Sequence, residues 1–543
     1  MDVVLPDDYY LRNFRQLVSF VGATYSGILT DAESAYSEQF LQLPEPAQRL
    51  YIRLICRTRN HFRQSRLSYP EIRPFSLAVT ALEEQGFLSV NQESSPEVLL
   101  ELFTREELVE RFKPDLPKSA RRPVLLLWIL ENLTDTQILD TLYEQESVLE
   151  VQHENIFSLY RLCFFGNLYQ DMTEFVLRDL GLTQFESYRI DPTTLAYHSR
   201  AQLDAHVQYY RCVELLDTAE ELDRETILTV WKSLPSVDSG DHHLRRRVDR
   251  MTNNLARELE RLQEYSSAMT LYESSRRPPS RERRARIHVT LEQPESALEL
   301  CREVLANPVN EEEREFSIQF GARTAKKLNV DWCGPVRFKP VEQRMELPPH
   351  DSVEMAVCAE LACSGPCFYT ENSLFNGVFG LVFWDIIFAP VSGVFFNPFQ
   401  SGPADLYETE FHTQRSELIT ARLHELSSQS VLQNRVLKTI EEKSGIQNAF
   451  VNWRYLSIEL IEMALERIPL SHWCAIFERL LLDLRNHRTG LPDLIHFPAD
   501  GGYNLVEVKG PGDKLQKNQL RWMRFFTDTG IPHQVVHVSW TES

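Results

Sequence analysis

One segment near the C-terminus fits very few folds: Gly490-Leu-Pro-Asp-Leu-Ile-His-Phe-Pro-Ala-Asp-Gly-Gly-Tyr-Asn-Leu-Val-Glu-Val-Lys-Gly. The Asp500-Gly-Gly triplet supplies turn residues between two apolar runs, which is a hairpin signal. It predicts a strand over 493–497, a turn, and a strand over 503–509. Side chains alternate along a strand, so Glu507 and Lys509 share one face and Val506 and Val508 the other. The hairpin brings Asp493, at the open end of the first strand, back opposite them. Two carboxylates and a lysine therefore converge at the end of a small sheet. Carboxylate oxygens suit a hard divalent cation such as Mg²⁺, with positions left over for water and a phosphate oxygen. A lysine two residues from one of these acids can orient water or offset charge building on a phosphate. The arrangement suits metal-assisted phosphodiester hydrolysis. Glu507 and Lys509 alone would read as a structural ion pair.

Pro492-Asp493 with Glu507-Val508-Lys509 spells the PD-(D/E)xK nuclease signature. The surrounding Gly490-Leu-Pro-Asp-Leu and Leu505-Val-Glu-Val-Lys-Gly-Pro-Gly-Asp-Lys-Leu, with Gln519 and Trp522, resemble the virus-type replication-repair (VRR) nuclease domain. Upstream, Phe379-Gly-Leu-Val-Phe-Trp-Asp-Ile-Ile-Phe resembles the Fanconi-anaemia-associated nuclease family of structure-specific DNA nucleases in interstrand-crosslink repair. The close resemblance covers residues 368–540. It implies Mg²⁺ or Mn²⁺ held by Glu371, Asp493, Glu507 and the main-chain carbonyl of Val508, with Lys509 assisting and Gln519 facing the site. It also implies that Arg485, Lys514 and Lys517 receive the DNA backbone or a terminal phosphate. Asn518 stands where the family has a second pocket lysine, a departure that bears on 5′-phosphate recognition. Thr370 reads as a helix N-cap that sets Glu371 in a first turn, where a carboxylate is electrostatically favoured. Asp385 reads as a buried hydrogen-bonded acid on roughly the same helix side. The run from Lys514 to Phe526 reads as an amphipathic helix, with Leu515, Leu520, Met523 and Phe526 inward and Lys514, Lys517, Arg521 and Arg524 outward.

Upstream, the chain divides by pattern. Residues 1–70 read as an N-terminal helical DNA-binding region, with five arginines and no acid between Arg53 and Arg66. Arg63 and Arg66 are candidate phosphate contacts there, against a plain solvated helix face. Residues 71–150 resemble a SAP-type helical DNA-binding module, two short helices around a loop whose Lys118 and Arg121 are candidate contacts. Residues 151–340 repeat: Leu259, Leu262, Tyr265, Ala268, Met269, Leu271 and Tyr272 recur as His288, Leu291, Pro294, Ala297, Leu298, Leu300 and Cys301, at a constant 29-residue offset. That suggests a tetratricopeptide-like array of helix pairs, with a shorter period than that family's and room for repair-protein partners. Pro278-Pro279 makes the six-arginine stretch 276–286 read as a loop. Residues 341–543 form the nuclease block. The expected architecture is multidomain and predominantly α-helical, SAP-like module then helical repeats, ending in an α/β PD-(D/E)xK restriction-endonuclease-like domain.

Composition enters through charge. With 57 Lys+Arg against 78 Asp+Glu, the net −21 would argue against nucleic acid if charge were evenly spread. It is not: residues 345–414 hold nine acids and no Lys or Arg, and the basic stretches stand apart as islands. Nine scattered cysteines and a start without cationic and apolar signal regions point to a reducing, intracellular compartment. That is the cytoplasm, nucleoid-associated, in a bacterium or the nucleus in a eukaryote. Cys56 is the sole cysteine before residue 100, so the ubiquitin-binding zinc finger of eukaryotic relatives is not expected and a bacterial-type member fits. The apolar run 377–396 carries Asp385 and Pro390 and lacks flanking cations, so it reads as a core helix and not a membrane span. The expected partner is branched or 5′-flap DNA. The rivals are a Holliday-junction resolvase or RNA nuclease on the same core, or a helical scaffold with a vestigial nuclease domain.

Overall fold

The computed structural model describes residues 8–92, 94–117, 119–170, 183–238, 240–334 and 338–541. The chain divides into two compact units, 1–182 and 183–543.

The first unit starts with helices Tyr9–Thr24, Asp31–Gln42 and Glu45–Ile55. Thr30 and Glu33 form a reciprocal capping box at the second, satisfying amide groups that a helix start leaves open. The helices close on Phe14, Phe40, Tyr51 and Phe87, all fully buried. Beside them lies a three-stranded antiparallel sheet of β1 (His61–Arg63), β2 (Leu88–Val90) and β3 (Val148–Val151), ordered β1-β3-β2. Its central strand comes last in sequence, so residues on both sides of position 70 share one sheet. Between β2 and β3, helices Pro96–Leu100, Arg105–Phe112, Arg122–Asn132 and Asp135–Tyr143 enclose a small core of Leu99, Leu108, Leu125, Ile129, Ile138 and Leu142. Lys118 lies outside the described residues.

In the second unit the 29-residue echo is visible as geometry. Helix pair His242–Arg261 and Tyr265–Ser274 is followed by Ser280–Thr290 and Pro294–Ala306. Both turns place the second residue past the helix at positive φ, Gln263 at 62° and Glu292 at 58°, and the positions are 29 apart. Leu262 and Leu291 are both exposed, whereas Ala268 and Ala297 are both buried. The 276–286 stretch is not the loop expected from its prolines: the helix resumes at Ser280 and carries Arg281, Arg283, Arg284 and Arg286. Helix Glu311–Leu328 closes the array.

The nuclease sheet has five strands, ordered β4-β8-β7-β6-β5. They are β4 (Glu342–Leu347), β5 (Cys367–Tyr369), β6 (Leu494–His496), β7 (Asn504–Lys509) and β8 (His533–Trp540). β4, β8 and β7 run parallel, while β6 pairs antiparallel with β7 and β5 antiparallel with β6. One face buries Leu494, Val506, Val508, Val536 and Val538 beneath helix Val353–Leu361. The other joins the large core around helices Leu374–Val382 and Leu470–Leu482 and helix Lys517–Thr529. The 377–396 run is core as expected, built of helices Leu374–Val382 and Trp384–Ile387 and a following loop. Among the described residues no helix is long and apolar enough to cross a membrane. Asp385 is a correction: its side chain is 63% exposed and pairs with Arg422 at 2.7 Å. The last helix also departs from expectation, starting at Lys517 and leaving Lys514 in the preceding loop.

Candidate active site

The hairpin forms close to its expected limits, and its register sets the chemistry. Leu494 pairs with Val506, which puts Asp493 beside Glu507 at the end of β6. Asp493 Oδ2 accepts the Val508 N–H at 2.8 Å, so the carboxylate is anchored to the neighbouring strand. Glu507 and Lys509 share a face, and Lys509 Nζ donates to Glu507 Oε1 at 2.7 Å. Gln519 Nε2 donates to the same oxygen at 2.5 Å. Gln519 is itself held by the capping box at the start of its helix, with Gln516 N donating to its Oε1 at 2.8 Å.

That helix start is seated by Gly490. The glycine has φ 85°, and a Cβ there would lie 2.9 Å from the backbone carbonyl carbon of Asn518. No L side chain adopts this conformation easily, and none fits the space.

Glu371 arrives by a route different from the one expected. It lies in a turn directly after β5, ahead of helix Leu374–Val382, whose cap position is Ser373 and not Thr370. Thr370 N donates instead to the Asp493 carbonyl at 2.8 Å, extending the β5–β6 pairing by one residue. An edge strand, not a helix, therefore carries Glu371 to Asp493. Its carboxylate accepts a short hydrogen bond from the Tyr369 hydroxyl.

Electrostatics mark the site as incomplete by itself. Burial, with the Asp493 charge added, pushes Glu507 up to about 8 against the opposing pull of Lys509. Burial pushes Asp493 up to about 6, with Glu371 and Glu354 adding to the Val508- and Lys509-opposed rise. Glu507 is fully buried, yet its Oε2 has no hydrogen-bond partner. A buried, unpartnered carboxylate oxygen beside a second carboxylate is costly unless a cation meets it. The donors are all oxygen, the set a hard divalent cation prefers. Among the described residues no three His, Cys, Asp or Glu side chains are yet drawn together as ligands. Asp493 and Glu507 form the pair, and Glu371 is turned to Tyr369. The residues fit such a cation.

The remaining candidates separate. Lys514 and Lys517 are exposed before and at the start of the Gln519 helix. Arg521, expected on the outer face, is 10% exposed and holds Glu315 at 2.7 and 2.9 Å. Arg485 pairs with Glu408 at 2.5 Å and lines a cavity of about 780 Å³ with Arg246 and Arg277. Arg246 and Arg277 belong to the basic runs Arg245-Arg-Arg and Arg276-Arg of the sequence. Only folding shows that they share Glu408 with Arg485. In the first unit Arg121 is exposed, and Arg66 is 65% exposed. Arg63 corrects the expectation of a phosphate contact: it is buried, with Glu107 at 2.8 Å and Glu146 at 3.0 Å.

A mixed sheet presenting an acid, an acid and a lysine at one end, with an oxygen-only donor set, defines a metal-dependent nuclease. Residues 427–540 match the VRR-NUC domain family, and residues 8–89 match the FAN1 HTH domain family. A Fanconi-associated nuclease 1 homolog of Pseudomonas aeruginosa is 34% identical over 98% of this chain and 96% of its own. One of Arabidopsis thaliana is 25% identical over 97% of this chain and 67% of its own. Among solved structures, the crystal structure of paFAN1 bound to 2nt 5′flap DNA with gap superposes with a TM-score of 0.84, at 33% identity over 99% of this chain and 100% of that one. A second, bound to 1nt 5′flap DNA with gap, gives 0.81. The chain belongs to the Fanconi-associated nuclease 1 family.

Proposed function

We propose that this nuclease cuts DNA phosphodiester bonds near 5′ flaps and branched junctions, as required in interstrand-crosslink repair, with Mg²⁺ or Mn²⁺. The observation that carries the reading is the unpartnered, buried Glu507 Oε2 beside Asp493, with Lys509 on the same face. Asp493, Glu507, Glu371 and the Val508 carbonyl would hold the cation. When bound, it supplies Lewis-acid polarisation of the phosphoryl oxygen and a more acidic water.

The chain's own residues do the rest. Lys509 Nζ lies 2.7 Å from Glu507 Oε1, placed to offset negative charge building on the phosphate. Gln519, from the neighbouring helix, holds the same Glu507 oxygen that Lys509 does, so the carboxylate is oriented before substrate arrives. Lys514 and Lys517, exposed at the mouth of this helix, receive the DNA backbone. The Arg485 cavity, with Arg246 and Arg277, suits a terminal phosphate once Glu408 yields one of its partners. Arg66 and Arg121 on the first unit add contacts to duplex DNA, and the helical repeats offer a surface for repair proteins. The matched crystal structures, each bound to a 5′ flap, support the choice of substrate. The functional partition is an N-terminal DNA-binding region to 70, a SAP-like module to 150, repeats to 340 and the nuclease beyond, working in the cytoplasm on chromosomal DNA.

The test is cleavage of a labelled 5′-flap duplex in Mg²⁺. Asp493→Ala and Lys509→Ala should each lose at least about 100-fold in rate while binding the flap as before. Undiminished cutting by either variant overturns the assignment. A parallel panel of Holliday junction and RNA substrates separates flap preference from the other uses of this core.

A further inference from the structure

The three acidic side chains of the site are unequally restrained. Asp493 is buried and tied to the Val508 N–H. Glu507 is buried and tied to Lys509 and Gln519. Glu371 is exposed, sits in a turn, and is followed by Asn372 at φ 52°. Among the described residues its close partner is the Tyr369 hydroxyl, and the Asn372 side chain reaches it at 3.5 Å. Glu371 is the third carboxylate of the proposed set, one residue beyond Thr370, whose N–H meets the Asp493 carbonyl at 2.8 Å.

Tyr369 is well placed to restrain Glu371. It is the last residue of β5, paired with Leu494, the residue after Asp493. The β-bridge continues one step further through Thr370 N and the Asp493 carbonyl. Tyr369 is therefore fixed to the same strand end as Asp493, while its phenol reaches two residues on to Glu371. Tyr369 is 38% exposed, more than a core tyrosine would be. Nearby Glu354 is occupied separately, accepting from the Ser352 hydroxyl at 2.8 Å. An ionised carboxylate has about four lone-pair directions, and a phenol donor uses one. Ligand side chains are generally oriented by an outer hydrogen bond, whose loss costs about 10–100-fold in metal affinity or activity.

We infer that Tyr369 is a positioning residue: its hydroxyl holds Glu371 by one oxygen and presents the other to the divalent cation beside Asp493 and Glu507. Without the phenol, the Glu371 side chain is left to rotate in solvent, and binding must order it. This rests on the site reading above, and the experiment separates the two.

Mn²⁺ binding to the full chain is measured by isothermal titration for wild type, Tyr369→Phe, Glu371→Gln, the double variant and Asp493→Asn. Flap cleavage is followed across Mn²⁺ concentrations in parallel. Phenylalanine keeps the ring, so far-ultraviolet circular dichroism should be unchanged. Tyr369→Phe should weaken Mn²⁺ binding about tenfold, and cleavage lost at low Mn²⁺ should recover as Mn²⁺ is raised. The double variant should bind no more weakly than Glu371→Gln alone. Wild-type or tighter binding by Tyr369→Phe, or a further loss in the Glu371→Gln background, overturns the inference. Wild-type binding by Asp493→Asn removes the cation site itself, and this inference with it.

Discussion

Arg63 and Gln519 are each committed to a carboxylate, Arg63 where the sequence suggests a phosphate contact and Gln519 at the site the family resemblance implies for it. Arg63 sits between Glu107 and Glu146 with its guanidinium buried. Removing one member of a buried ion pair leaves the other charge unmatched, which typically costs about 3–5 kcal/mol. Arg63→Ala should therefore lower the denaturant midpoint of the first unit's unfolding, by urea titration, and not act through DNA contacts. A variant of wild-type stability with weakened DNA binding would reverse that assignment. Gln519 bonds Glu507 Oε1 while its own carbonyl caps a helix. Gln519→Ala should slow flap cleavage by about 10–100-fold, the usual effect of losing such an orienting partner. Single-turnover kinetics at saturating DNA and Mg²⁺ would read it, and a rate within twofold of wild type would show that the strand alone orients Glu507.

At the scale of elements, two seams hold the site in register. One is the contact between the Gly490 loop and the Gln519 helix, where a Cβ would strike backbone. Gly490→Ala adds a strained φ to that overlap, so a loss of about 1–3 kcal/mol in stability is expected, with reduced cleavage because the helix carrying Gln519 must shift. Thermal unfolding and a flap assay on the same preparation check both. The other seam joins the repeat helix Glu311–Leu328 to the nuclease core: Glu311 meets Arg479 at 3.2 Å and His487 at 3.0 Å. Burial resists its charge, but His487 and Arg479 hold Glu311 down to about 2. A carboxyl lowered on folding stabilises fully above its unfolded value near 4.5, and that contribution is lost as pH falls towards 2. The magnitude is at most about 3 kcal/mol. Glu311→Gln should therefore cost stability at pH 7 and flatten the decline between pH 4.5 and 3, followed by urea unfolding at each pH. Parallel curves for variant and wild type would show that the pair contributes nothing.

Over the whole molecule, charge is less available than a count of basic residues suggests. Arg281, Arg283 and Arg286 pair with Glu313, Glu260 and Glu282, and Arg521 with Glu315. The arginine-rich stretch 276–286 is thus largely internal structure. Lys514 and Lys517 are exposed, so phosphate binding should rest on few cations. Each neutralised phosphate contributes a slope of about −0.9 to the salt dependence of duplex binding. Lys514→Ala and Lys517→Ala should each reduce the slope for flap binding by about 1, read by anisotropy from 50 to 200 mM salt. An unchanged slope in both would place the DNA path elsewhere.

The hairpin, its face alternation, the acid–acid–lysine set and the 29-residue helical echo were legible because each is local. A strand's two-residue period, a turn's glycines and a helix pair's length are properties of contiguous chain. The route of Glu371 was not legible, since β5 is three residues long and exists only by pairing with β6. β4 was missed for a similar reason: Glu-Gln-Arg-Met-Glu-Leu shows little apolar alternation and becomes a strand through its parallel partner β8. Asp385 and Arg63 exchanged their expected roles because burial depends on what the rest of the fold lays over a residue. By itself the sequence determined which groups can do the chemistry and which of them share a strand. Tertiary structure decided which carboxylate lacks a partner, which arginines are already neutralised, and that Tyr369, fixed beside Asp493 by β5–β6 pairing, donates to Glu371, because pairing partners far apart in the chain are chosen only when the core closes.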